Sequence, residues 1–202
     1  AARLLSFSAE RQERIALIVL LGISLYLVKV LHSPLDFTFH DEFLHWRTAA
    51  NIMRDGVLLT PNSILPVSPS YPGLEIITSA FAELGGLTIP EAGMLMLGIM
   101  RVGFMLALYL MYEHISGSPQ IGGLAALLYT ANSNFVFFDS QFSYESLALP
   151  LATTVLYAVA TRAERSSIHL YALTVPLIVF VAITHHLTAY VMSGFLALWS
   201  VV

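Results

Sequence analysis

The chain has 202 residues, 57% of them hydrophobic and 11% charged, with a formal net charge of −4. That balance excludes a soluble domain, and the scattered Lys and Arg exclude a nucleic-acid binder; it describes a multi-span membrane protein. Cysteine is absent, which excludes disulfides and thiolate metal sites.

Residues 1–14 form a polar lead-in carrying Arg3, Arg11 and Arg14. The chain opens without Met and stops inside FLALWSVV, the pattern expected of the N-terminal portion of a longer membrane protein. Ile15–Leu31 is the first predicted span, with Arg14 and Lys29 placed to snorkel from its ends. A first external loop, residues 32–93, follows. It opens on the stretch the rest is arranged around, Phe39–Gly56, FHDEFLHWRTAANIMRDG. Phe43, Trp46, Ala50 and Met53 recur at helical spacing, and Gly56 stands where a C-cap belongs, so an amphipathic surface helix is predicted. Prolines at 34, 61, 66, 69 and 72 then require an ordered loop. Gly73–Leu87 is apolar but short and contains Glu75 and Glu83, which predicts an interfacial or re-entrant helix.

Met94–Tyr112 (with Arg101 inside it), Gln120–Phe138, Ser143–Thr161 and Leu170–Thr184 are predicted spans, and Ala189–Val202 begins another. The predicted fold is therefore an all-α, polytopic transmembrane helix bundle with amphipathic surface helices in its first external loop. The positive-inside rule puts Arg3, Arg11 and Arg14 in the cytoplasm. If Gly73–Leu87 does not cross, Arg162 and Arg165 fall there too. Asp41, Glu42, Asp139, Glu145, His185 and His186 then share the extracytoplasmic face of the cell membrane.

Asp41 and Glu42 are neighbours, so on a helix they diverge by roughly 100 degrees. Either can act as a general base or bind a divalent cation, and either can simply cap the helix. Asp41 and His45 are four apart and share a face. Asp139 and the His185–His186 pair have bland alternatives as well, a solvated turn and a span end. Glu145 stands at the mouth of a span. Arg101 costs about 2.5–3.5 kcal/mol at mid-bilayer and needs a partner, either a lipid phosphate or a carboxylate on an adjacent helix. No phosphate-binding loop, zinc H-E-x-x-H or G-x-S-x-G elbow is present.

This layout resembles the C-type membrane glycosyltransferases, nearest to the protein O-mannosyltransferase and aminoarabinose transferase kind. The stretches that carry the resemblance are HDEFLHWRTAANIMRDG, YPGLEIITSAFAELGGL followed by RVGFMLALYLMY, and FDSQFSYESLALPL. Ser140–Gln141 stands where a Ser-Arg pair is more usual in that family. The resemblance implies transfer of a sugar from a polyprenyl-phosphate carrier to an extracytoplasmic lipid, glycan or protein. Asp41 would be the general base with Glu42 beside it, and a divalent metal on Asp41 would assist as in some relatives. Arg101 would hold the donor phosphate, and Glu145 and Asp139 the acceptor side. His185 and His186 join the substrate-binding set from the topology argument, and His45 joins it from the face shared with Asp41. The competing readings are a transporter or flippase, and a non-catalytic membrane subunit.

Overall fold

The computed structural model describes residues 2–161 and 168–201, and among them every regular element is helical. Arg162 and Arg165, on which the orientation argument leaned, lie outside the described residues. In chain order the helices are α1 (Ala2–Leu5), α2 (Arg11–His32), α3 (His40–Asp55), α4 (Gly73–Gly85), α5 (Ile89–Ser116), α6 (Pro119–Thr130), α7 (Ser133–Val136), α8 (Tyr144–Ala160), α9 (Ile168–Thr184) and α10 (His186–Trp199). Short 3-10 turns occupy Ser68–Ser70 and Phe138–Ser140.

Two helices, α2 and α5, are long and apolar enough to cross a membrane. With 22 residues, α2 rises about 33 Å, enough for a ~30 Å hydrocarbon core. Helix α5 begins before the predicted Met94 because Thr88 and Glu91 cap it reciprocally: Thr88 N–H donates to Glu91 Oε2 at 2.8 Å, and Glu91 N–H to Thr88 Oγ1 at 3.4 Å. The predicted continuous span Gln120–Phe138 is corrected. Helix α6 stops at Thr130, Asn132 accepts from Asn134 N–H at 3.0 Å to start a new turn, and the two pieces meet at 76°. Counted as one broken span, they bring the candidate crossings to three.

Helix α4, at 13 residues, rises about 20 Å and falls short of the hydrocarbon core. It lies against α3, α5 and α9. At its start, a Cβ on Gly73 would stand 2.3 Å from Thr184 Oγ1, so only glycine lets α4 meet the end of α9. Gly56 ends α3 as predicted, at φ 65°, with its N–H donating to Ile52 O at 2.9 Å.

Polar contacts fix which helix ends lie together. At one end Arg11 of α2 pairs with Glu113 of α5 at 2.8 Å, Gln120 of α6 donates to Leu5 O at 2.8 Å, and His114 of α5 meets Ala160 O of α8 at 3.1 Å. At the other end Tyr26 Oη of α2 donates to Met94 O of α5 at 2.7 Å, beside α3, α4, the 131–143 connection and the α9–α10 junction. The long loops and most buried polar groups gather at this second end.

Helix α3 reverses the usual arrangement. Its buried face carries Glu42, His45, Thr48 and Ala49, while Phe43 and Trp46 are exposed. The protein takes the polar stripe and leaves the aromatic one outside. Ala50 and Met53, from the same predicted stripe, pack partly against the core. The proline-rich loop is held by the same polar face: Asn62 Nδ2 donates to Thr48 Oγ1 at 2.8 Å, and Asn62 Oδ1 accepts from Ile64 and Leu65 N–H at 2.9 and 3.1 Å.

Candidate functional site

Three groups of polar side chains meet at the loop end. The first is built on Glu42, the third residue of α3, whose side chain has no solvent exposure. Its Oε2 accepts from Thr38 and Phe39 N–H at 2.9 and 3.1 Å, completing the start of α3. Its Oε1 accepts from Phe142 N–H at 2.9 Å and pairs with Lys29 Nζ at 2.6 Å. Phe37 and Phe142 stack at 4.8 Å, and Lys29 lies 5.5 Å from the Phe37 ring centroid. Glu42 thus gathers α2, α3 and the segment before α8 at one carboxylate. Lys29 points into this lattice rather than snorkelling outward.

Asp41 does the opposite. Its side chain is 59% exposed, with His40 Nδ1 at 3.6 Å as its ionic neighbour. It lines a cleft of about 380 Å³ with Phe39, Phe137, Phe138 and Gln141. Asp41 and His45 stand one turn apart on α3, but His45 is buried while Asp41 lies exposed in the cleft.

The second group centres on His45. Its Nδ1 lies 2.9 Å from Oε1 of the fully buried Glu75. Ser68 Oγ donates to the same oxygen at 3.5 Å and meets Thr48 Oγ1 at 2.9 Å. Tyr144 places its ring 4.2 Å from His45 and 5.9 Å from His185, so it bridges the two histidines. Sequence reasoning used Glu75 only as an argument against a span; an acid inside an apolar helix too short to cross was the signal for a buried partner.

His185 and Glu145 make the third group. His185 interrupts the helix between α9 and α10 in extended conformation, φ −151° and ψ 113°. Its Nδ1 is 2.8 Å from Thr188 Oγ1 and its Nε2 3.4 Å from Glu145 Oε1. Burial pushes the His185 pKa below its ordinary value, with Glu145 pulling the other way and His186 and His45 adding to the fall. His186 packs its ring between Tyr71, at 4.8 Å, and Tyr190, at 6.3 Å.

Arg101 is buried in α5, and among the described residues no carboxylate is in contact with it. Its Nη2 donates to Phe135 O at 2.9 Å and to Ser140 Oγ, and its guanidinium lies 3.9 Å from the Phe135 ring centroid. It therefore pins the broken segment after α6. Asp139, on the 3-10 turn, is near enough for the charges of Arg101 and Glu145 to act on it.

The residues present do not form a cation cage. Among the described residues no three His, Asp or Glu side chains gather to hold a metal, and Asp41 has His40 alone beside it. Comparison with known protein families, with curated proteins and with solved structures finds no match to this chain.

Proposed function

We propose that the chain is part of a multi-pass membrane glycosyltransferase of the C type, working at the extracytoplasmic face. In this reading it moves a sugar from a polyprenyl-phosphate carrier to a hydroxyl acceptor. The observation that carries the reading is the division of labour within the Asp41–Glu42 pair. Glu42 is committed to holding three chain segments together, and its neighbour Asp41 is left accessible in a cleft. The placement of Glu145, His185 and Asp139 at the same end of the helices supports it further.

In the reaction Asp41 accepts the proton of the acceptor hydroxyl as its oxygen attacks the anomeric carbon. The bond from that carbon to the carrier phosphate breaks, and the phosphate departs with the electron pair. Glu42 and Lys29 fix the cleft wall. Arg101 acts as a positioning residue, holding Phe135–Ser140, whose flank includes Phe137 and Phe138 of the cleft. No step is routed through a metal, because the donor set around Asp41 does not fit one.

Replacing Asp41→Asn tests the assignment. Sugar transfer from a polyprenyl-phosphate sugar should fall at least a hundredfold, within the range for loss of a general base. The melting temperature in detergent should hold, because Asp41 is exposed. Unchanged turnover would remove Asp41 from the chemistry. The buried His45–Glu75 pair supports a second reading, a transporter with an internal proton path. Proton-coupled flux in liposomes without any sugar transfer would favour that alternative.

A further inference from the structure

A groove of about 320 Å³ runs between α8 and α10, and its two ends differ in chemistry. Glu145, His185 and Thr188 stand at its head, where α8 and α10 both begin. Leu149, Leu156, Val191 and Phe195 line the rest, at helical spacing on the two facing surfaces. The larger apolar groove between α2 and α5, about 590 Å³, lacks this polarity: its one carboxylate, Glu91, is already engaged by Thr88.

We propose that the α8–α10 groove binds a single-chain amphiphile with a hydroxyl-bearing head, its hydrocarbon chain along the helices and its head at Glu145 and His185. The proposal deepens the transferase reading by naming the acceptor class, and its acceptor role rests on that reading. Three observations select the head. Among the described residues the groove is lined by no Lys or Arg and has a carboxyl group, Glu145, at its head, so a phosphate head would find no cation to receive it. Both His185 nitrogens have polar neighbours, Thr188 Oγ1 and Glu145 Oε1, so the second oxygen of the half-exposed Glu145 is the acceptor offered to an O–H donor. The segment that leads to Glu145 also supplies Phe137, Phe138 and Gln141 to the Asp41 cleft, so the head position follows that cleft by four residues along the chain.

The test uses the purified chain in phosphatidylcholine nanodiscs and a long-chain primary alcohol carrying a diazirine on its tail. Photolysis should place adducts on α8 and α10 at least tenfold more often than on α2 and α5. Val191→Trp fills the groove from an exposed position and should lower that yield tenfold or more, while Leu95→Trp in the α2–α5 groove should leave it unchanged. The matching alkane probe, lacking the hydroxyl, should label both grooves alike. Equal labelling by the alcohol, or labelling indifferent to Val191→Trp, overturns the proposal. Binding is read without any sugar donor, so the two ideas fail separately: selective adducts on a protein that transfers no sugar would keep the amphiphile site and discard the transferase.

Discussion

The two ends of the helix assembly treat charge in opposite ways. At the Arg11 end, oppositely charged side chains meet where water still reaches them: Arg11, half exposed, faces Glu113, and Arg3 faces Glu13. At the loop end Lys29 and Glu42 are 7% and 0% exposed, and His45 and Glu75 are 6% and 0% exposed. Exposed pairs of this kind contribute roughly 0–1 kcal/mol, whereas removing one member of a buried pair costs about 3–5 kcal/mol because the other is left unpaired. One end mixes exposed pairs with a single buried cation, Arg14, which donates to Leu4 O and Ser6 O, and the other is built on buried pairs.

The sharpest way to break this contrast is at Lys29. Lys29→Met strands the Glu42 carboxylate and should cost about 3–5 kcal/mol, seen as an early loss of helical signal on heating in detergent. A shift no larger than that of an exposed pair would mean the lattice is not closed to water. Next in size is Glu75→Ala, which removes the acceptor shared by His45 and Ser68 and should cost about 1–3 kcal/mol. A double-mutant cycle with His45→Ala should then show coupling of about 0.5–3 kcal/mol, as contacting residues do.

A pH series sharpens the comparison at the third group. His185 is held neutral by burial, so its pKa falls from the ordinary 6.5 on folding. The unfolded chain binds that proton more readily, so stability is fully present above pH 6.5 and declines as pH falls through that value. His185→Gln should flatten the dependence between pH 7 and 5, followed by thermal unfolding. The smallest effect belongs to the other end: Arg3→Ala, at a pair exposed on both sides, should leave the melting temperature in detergent unchanged, in low salt and in high.

Much of the helical layout was legible in the residues. Gly56 marks the end of α3, and the brevity of Gly73–Leu87 with its two acids announces a helix that does not reach across. The break inside 120–138 was hidden because apolar residues run on through it. Asn132, a good start for a new turn, was the clue within TANSN. The apolar stripe read along α3 is split in the structure: Phe43 and Trp46 are exposed while Ala50 and Met53 pack on the core, a division that periodicity does not report. The candidate site was legible as an inventory of ionisable groups. What each does depended on partners far along the chain, so Glu42 and Asp41 looked equivalent until Phe142 and Lys29 were placed beside one of them. Tyr144, Thr188 and Glu75 carried no signal of their own beyond polarity in apolar company.

The Glu42 carboxylate also sets an order of assembly. Lys29, Thr38 and Phe39 leave the ribosome shortly before it, but the Phe142 amide is a hundred residues downstream. At roughly 5–20 residues per second, that partner arrives about 5–20 s later. Through that interval the early helices hold an acid with one acceptor position vacant, and the loop end locks only when the nascent chain delivers its latecomer.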